Sequence, residues 1–435
     1  MNHLFLALVA TSPIAIRADH SEGGAATAKY IPGSTLLGSL SAAHRMLRPR
    51  QDDEFKQFFL AGQILFPHLY PAGFKSSSAG LDEANTPVKP LPRTAQMCKR
   101  FSGFRPLHGE NALEERHGIR DSLLDWAVFA LLDARHQPLP GLLAPLEVHD
   151  RCAFPGCEQA LDHADGYYRS DLDDSRQRMR ASAATRLQTR TGINRDWGVV
   201  ENSILYNREV FEDGTMFWGD LLFPDEETLP EEQRLVTRFQ DFLLETEIQD
   251  QERPGIVRLG TGRSRGLGCV ALAKDLIEVE RETLPAFQKR LEKFDTLLRT
   301  ESVEQGVKGL DAFYFAITLT SATILRDPFL RYQKTLDVAT LARLLDHARA
   351  SFTLIYQATG MQRVTGWNEL WGTPRQHDYA LEMGSTFLFA SSVEPDAELL
   401  EALYALEETG LGERRAEGFG RICVSDPFHL EREQL

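Results

Sequence analysis

The sequence predicts an α+β chain made of two ferredoxin-like units in tandem, with a zinc-binding insertion in the first unit. Three observations carry this: a buried apolar strand that recurs, a glycine-rich loop that recurs near the end of each half, and three of the five cysteines gathered in one stretch. Recurrence of elements in the same order points to duplication rather than to a short-period repeat.

The first strand is Leu4-Phe5-Leu6-Ala7-Leu8-Val9-Ala10-Thr11-Ser12, and Phe313-Tyr314-Phe315-Ala316-Ile317-Thr318-Leu319-Thr320-Ser321 repeats its character, matching at Ala, Thr and Ser. Both are short continuous apolar runs of the kind that forms buried strands. Later in each half stand Gly214-Thr215-Met216-Phe217 and Gly384-Ser385-Thr386-Phe387, followed by acidic, apolar-periodic stretches (Glu231 to Glu245, Pro395 to Glu408) that read as helices. The glycine loops, Leu259 to Gly268 and Leu411 to Gly420, align without gaps at five identities in ten positions, including Arg263 with Arg415. A strand, a helix, paired strands and a closing strand after the loop fit βαββαβ units. The boundary is expected near 275–310, where the charged stretch Glu278 to Glu304 links a first unit (1–275) to a second (276–435). The insertion covers about 94–170.

Composition narrows the function classes. With 435 residues at 42% hydrophobic content the chain can bury a core, which excludes collagen-like, disordered and disulfide-miniprotein classes. No apolar run reaches the ~18 residues that span a bilayer, and the N-terminal run lacks a signal peptide's basic flank, so a cytoplasmic protein without membrane contact is expected. The net charge of −15 argues against indiscriminate nucleic-acid binding, yet screening over ~8 to 10 Å leaves room for a local basic groove.

Such a groove is legible in two places. Arg253, Arg258, Arg263 and Arg265 follow one another with no acid after Glu252, among Gly260, Gly262, Gly266 and Gly268, which would let backbone N–H groups approach an anion. The arginine fork suits phosphate. From Arg176 to Arg208 there are seven arginines against Asp196 and Glu201, and Arg190, Asn194 and Arg195 are interleaved with Trp197 and Tyr206. Basic residues alternating with rings suit single-stranded nucleic acid. The second loop offers Arg415, Gly418 and Gly420, although Glu413 and Glu417 replace Thr261 and Arg265 there. A third anion site is expected where Ile31-Pro32-Gly33-Ser34-Thr35 opens an apolar-periodic helix, with Ser34 as N-cap.

In the insertion, Cys152 and Cys157 flank a Pro155-Gly156 turn and Cys98 lies upstream. Three thiols call for a fourth, histidine ligand to a structural zinc ion: His117 is taken, with His108 and His163 as alternatives. The glycine spacing fits neither a dinucleotide fold nor a P-loop. His149-Asp150 and His377-Asp378 stand without the further ligands of a phosphohydrolase, and no nucleophile elbow occurs. His44, on the flank of the first helix, is the one candidate general base.

Together the Ile31 to Thr35 helix start, the Thr189 to Tyr206 stretch with Gly214-x-x-Phe217-x-Gly219, and the loops ending at Gly268 and Gly420 resemble the RAMP superfamily of CRISPR proteins. The order, the cysteine insertion and the length look most like the Csx-type, Cas-five-like subunit of type III-D effector complexes. The resemblance implies RRM-like domains and a non-catalytic subunit that binds the 5′ handle of crRNA and contacts the large signalling subunit and the backbone subunits. It also implies that target RNA is read by guide pairing while this chain holds the RNA backbone. The rival reading is a RAMP endoribonuclease that processes precursor crRNA with His44 as base.

Overall fold

The computed structural model describes residues 1–17, 26–75, 87–105, 116–135, 151–152, 154–170, 178–193, 200–247, 256–272, 277–278, 282–347, 349–368, 371–431 and 433–434. It is a mixed α+β structure with two principal antiparallel sheets. The first contains β1 (Asn2–Ala10), β2 (Tyr70–Lys75), β3 (Thr215–Phe223) and β4 (Val270–Leu272) in the order β4-β1-β3-β2, and Ile277–Glu278 also pairs with β1. The second contains β5 (Phe313–Leu319), β6 (Phe352–Ala358), β7 (Thr386–Ser391) and β8 (Ile422–Val424) in the order β8-β5-β7-β6, the same arrangement.

Leu4 to Ala10 of β1 and all of β5 except Thr318 are apolar or aromatic, as suits sheets covered on both faces. Leu4, Leu6 and Leu8 pack under α1 (Gly33–Leu47) and α2 (Leu235–Glu247), while Phe5 and Ala7 meet Tyr70, Tyr167 and Trp218 on the other face. In the second sheet Phe313, Phe315 and Ile317 face α4 (Val338–Leu345) and α5 (Ala397–Thr409). Tyr314 and Ala316 meet α3 (Leu284–Glu304) and the insertion helix Leu123–Ala134. The charged stretch expected as a link is therefore a 21-residue helix, with Phe287, Leu291, Phe294 and Leu298 buried along one stripe among its charges.

The helix expected from Glu231 starts four residues later, because residues 231–233 form a separate 3₁₀ turn and Arg234 is extended. The expected N-cap is also different. Pro32 holds that position, Ser34 lies inside the first turn, and the Gly33 N–H donates to His68 Nδ1 at 2.9 Å. The ring of Pro32 fixes an extended entry, and the imidazole satisfies the orphan donor that a serine hydroxyl would otherwise take.

The two halves share a large interface. The Tyr70 hydroxyl donates to the Thr320 carbonyl at 2.6 Å, and the half-buried Arg421 guanidinium donates to the Leu65 carbonyl at 3.2 Å. Among the described residues no helix is long and apolar enough to cross a membrane.

Candidate nucleic-acid interface and metal centre

The two glycine loops adopt one geometry. The Leu259 N–H donates to Gly268 O at 2.8 Å, and the Leu411 N–H to Gly420 O at 2.7 Å; Gly268 N–H reaches Pro13 O, and Gly420 N–H reaches Ala322 O, both at 2.9 Å. Thr261 N–H donates to Ala15 O and Glu413 N–H to Ile324 O. Each loop thus closes over the end of its half's first strand. A short 3₁₀ turn, Arg263–Arg265 or Arg415–Glu417, lies at the tip.

This geometry explains the glycines differently from an anion cradle. Each of Gly260, Gly268 and Gly420 has a positive φ, and a Cβ there would stand 2.2 Å or less from a backbone carbonyl oxygen of its own half. They are required for the turn and its packing. Gly266 alone faces open space. Gly418 and Gly420 are buried, the former against His68 of the first half, while the exposed Arg415 donates to the Thr409 carbonyl of its own half. The same loop covers the start of α1: Phe66 N–H donates to Ala416 O at 3.2 Å, and a Cβ on Gly33 would lie 2.4 Å from Glu417 O. Gly33 therefore lies against the second loop, while Ser34 and Thr35 are half-exposed on the first turn of α1.

The first loop meets the arginine-rich hairpin Thr185–Ile193 and Val200–Phe211. Arg265 Nη1 donates to the Tyr206 hydroxyl at 2.9 Å, and Arg190 pairs with Tyr206 across the hairpin. Arg208, two residues further on the same strand, leans over Gly262, where a Cβ would stand 2.7 Å from its Nη1. Burial and the guanidiniums of Arg17, Arg265 and Arg190 lower the Arg208 pKa, with Tyr206 acting in the opposite direction. Arg263 sits at the loop tip, and its carbonyl accepts from Arg258 Nη1 at 3.0 Å. Arg17, isolated in the sequence, comes within electrostatic reach of Arg208 through the backbone pairing of Ile14 with Phe211. Asn194, Arg195, Trp197 and Arg253 lie outside the described residues.

His44 is fully buried inside a cage of Phe55, Phe58, Phe59 and Phe242, with ring centroids 5.3–5.8 Å away. Burial lowers its pKa, with Glu54 opposing. A general base must reach its proton, and this ring has no exposed surface. The stripe of α1 that contains Leu36, Leu40 and Ala43 turns His44 inwards.

The insertion brings Cys98, His117, Cys152 and Cys157 together, with one ligand atom of each within 4.8 Å of all the others. Strand Ala95–Cys98 ends at the first thiol, and His117 precedes the paired strand Ile119–Asp121. The Phe154 to Cys157 turn, with Gly156 at φ +78°, folds the last two thiols over them. Cys98 and Cys157 sulfurs are 3.9 Å apart, and His117 Nδ1 is 3.3 Å from Cys152 Sγ. Metal–thiolate bonds of ~2.3 Å in a tetrahedron separate sulfurs by ~3.8 Å, so this set could hold a metal ion. The Phe154 ring stacks on His117 at 4.0 Å and fixes the imidazole plane.

Burial opposes ionisation of Cys98, but the N–H groups of Phe101 and Arg100 and the neighbouring thiols outweigh it and lower its pKa. Burial, with the charge of Cys98, pushes Cys152 up to about 11. A bound cation would relieve that conflict by favouring thiolates throughout. Of the alternative histidines, His163 points elsewhere, with Nδ1 3.1 Å from Ala95 O and Nε2 3.2 Å from Asp165. His108 lies outside the described residues.

None of the curated proteins matches the sequence. Among solved structures, the chain is similar to one from the type III-B Cmr-beta complex bound to cognate target RNA, at 10% identity and TM-score 0.33 over 88% of this chain and 86% of that one. It is also similar to one from the apo Cmr-beta complex, at 13% identity and TM-score 0.29 over 63% and 98% of the two chains. A CRISPR associated protein Cas6 gives 8% identity and TM-score 0.31 over 97% and 98%. At such scores the likeness supports no inference about function. The sequence itself is decisive: the family model of the RAMP superfamily matches residues 8–271, more than half of the chain, and the protein therefore belongs to the RAMP superfamily.

Proposed function

We propose that this chain is a non-catalytic, crRNA-binding subunit of a type III CRISPR effector complex, of the Csx-type found in type III-D, that caps the 5′ handle of the guide. The observation that carries the reading is the gathering of Arg190 and Arg265 at Tyr206 with Arg208 two residues on, and of Arg17 within electrostatic reach of Arg208, on a chain of net charge −15. Arginines beside a tyrosine ring suit an RNA backbone with a stacked base. Membership of the RAMP superfamily supports the same assignment.

In this reading the halves, 1–275 and 276–435, are tandem ferredoxin-like, RRM-like domains, and the shared strand orders of the two sheets support that. The ion at Cys98, His117, Cys152 and Cys157 is zinc with a structural role, a choice supported by a three-thiolate, one-imidazole donor set. Burial of His44 favours the non-catalytic role over precursor processing. The large signalling subunit and backbone subunits are the protein partners, and target RNA is met through guide pairing.

The test is recovery of bound RNA. The protein would be co-expressed with a CRISPR array and type III subunits, purified, and its RNA sequenced. Guides beginning with a common repeat-derived 5′ sequence are expected; RNA of random cellular origin, or none, would refute the proposal.

A further inference from the structure

The duplication allows the two halves to be compared position by position. Ile14 and Phe211 exchange two backbone hydrogen bonds, of 3.1 and 2.8 Å, and so do Thr323 and Leu381, at 3.0 and 2.9 Å. Counting three residues from each pair, Arg17 corresponds to Arg326 and Arg208 to Asp378. The matched loops make Thr261 correspond to Glu413, Gly262 to Arg414 and Arg265 to Glu417.

In the second half these positions neutralise one another. Arg326 Nη2 donates to Asp378 Oδ1 at 2.9 Å, and its Nε is 3.4 Å from Glu413 Oε2. Arg414 donates to Asp378 Oδ2 at 2.9 Å and to Glu417 Oε2 at 2.7 Å. Two guanidiniums thus face three carboxylates. The same positions in the first half hold three guanidiniums and no carboxylate. Among the described residues no acidic ion-pair partner is seen for Arg17, Arg208 or Arg265: Arg265 donates to the Tyr206 hydroxyl, and the charged groups acting on Arg208 are arginines and Tyr206. Glu209, next to Arg208, is engaged by the Thr27 N–H and the Thr185 hydroxyl. Like charges held together repel one another, and a bound anion would offset that repulsion.

Resting on the RNA-binding reading above, we propose that Arg17, Arg208 and Arg265 form a socket for an RNA phosphodiester, and that the matching socket of the second half is closed by that half's own carboxylates. The chain then holds RNA through one half only. A phosphate's oxygens would take the place that the Asp378, Glu413 and Glu417 carboxylates fill in the second half, since both groups offer two acceptor oxygens to arginine's planar fork. The cluster opens onto the hairpin strand with Tyr206 and Arg190, which suits a continuing backbone rather than a lone anion.

The test uses the full-length protein and a fluorescent single-stranded RNA of repeat sequence, with the Kd measured at several salt concentrations. Arg17→Gln and Arg208→Gln should each weaken binding about tenfold, as loss of one charge-assisted contact would. Each should also lower the salt slope by ~0.7. The double variant Arg326→Gln with Asp378→Asn removes a pair together and should leave Kd and slope within about twofold of wild type. Should that variant fail to fold, Arg326→Lys serves in its place. Inorganic phosphate at matched ionic strength should not compete measurably. Equal losses from both halves, unchanged binding in the first-half variants, or strong competition by phosphate would overturn the socket while leaving the RNA reading intact. No RNA binding by wild type would overturn both.

Discussion

Asp121 and His429, 308 residues apart in the chain, meet at 2.7 Å between Oδ2 and Nδ1 with both side chains out of solvent. The imidazole Nε2 faces the Thr318 hydroxyl at 2.8 Å, and the Thr94 hydroxyl also donates to Asp121. The insertion, the central strand of the second sheet and the C-terminal segment are joined at this point. Lys89 to Asp426 at 2.9 Å and Arg178 to the Pro427 carbonyl at 2.9 Å extend the junction. The order hydroxyl, imidazole, carboxylate is that of a nucleophilic triad, and here all three groups are buried in the junction.

Asp121→Ala should therefore destabilise the protein by about 3 kcal/mol, since it strands a buried imidazole and the Thr94 hydroxyl. Asp121→Asn should cost less. Equilibrium denaturation in urea checks this; a change below about 1 kcal/mol for Asp121→Ala would contradict the junction.

Purified protein is expected to contain about one zinc ion per chain by elemental analysis. Cys152→Ser with Cys157→Ser should lose the metal and lower the melting temperature, and a chelator should do the same to wild type. Metal-free wild type of unchanged stability would refute the site.

The buried His44 is expected to behave as a core residue. His44→Ala should cost about 2 to 4 kcal/mol through the cavity left among the phenylalanines. His44→Leu should fold at least as stably as wild type, because two ring nitrogens without hydrogen-bond partners disappear. Neither variant should alter the fate of a repeat-containing RNA, which the isolated chain is expected to leave uncut. Cleavage by wild type that His44→Leu abolishes would restore the endoribonuclease reading.

His3 makes stability dependent on pH. Burial opposes its charge, but hydrogen bonds to Asp220 at 2.6 Å and Glu408 at 3.3 Å prevail and raise its pKa from 6.5 to about 9. The folded state then binds the proton more tightly than the unfolded chain. This contribution is complete below pH 6.5 and declines as the pH rises through 9. Denaturation midpoints from pH 6 to pH 10 should fall across that window in wild type and stay flatter in His3→Gln. Parallel curves for the two proteins would show that the ion pair contributes nothing.

The sequence by itself determined the elements whose periodicity records burial. Leu4 to Ala10 and Phe313 to Leu319 are strands because they are apolar on both faces, and the matched glycine loops reveal equivalent turns because only glycine tolerates those carbonyl contacts. The cysteine spacing likewise delimited the metal ligands to three thiols and one of three histidines. What only the tertiary structure decided is which face each side chain meets. His44 and Gly33 look available in one dimension, but the phenylalanine cage encloses the first and the second loop covers the other. The 21-residue helix beginning at Leu284 looked like a link because its charges outnumber its apolar stripe. Arg17 carries no local signal at all. Its place beside Arg208 depends on pairing between strands nearly two hundred residues apart, and the counter-charges that separate one half from the other, Asp378, Glu413 and Glu417, come from distant segments that only folding brings within Coulombic reach.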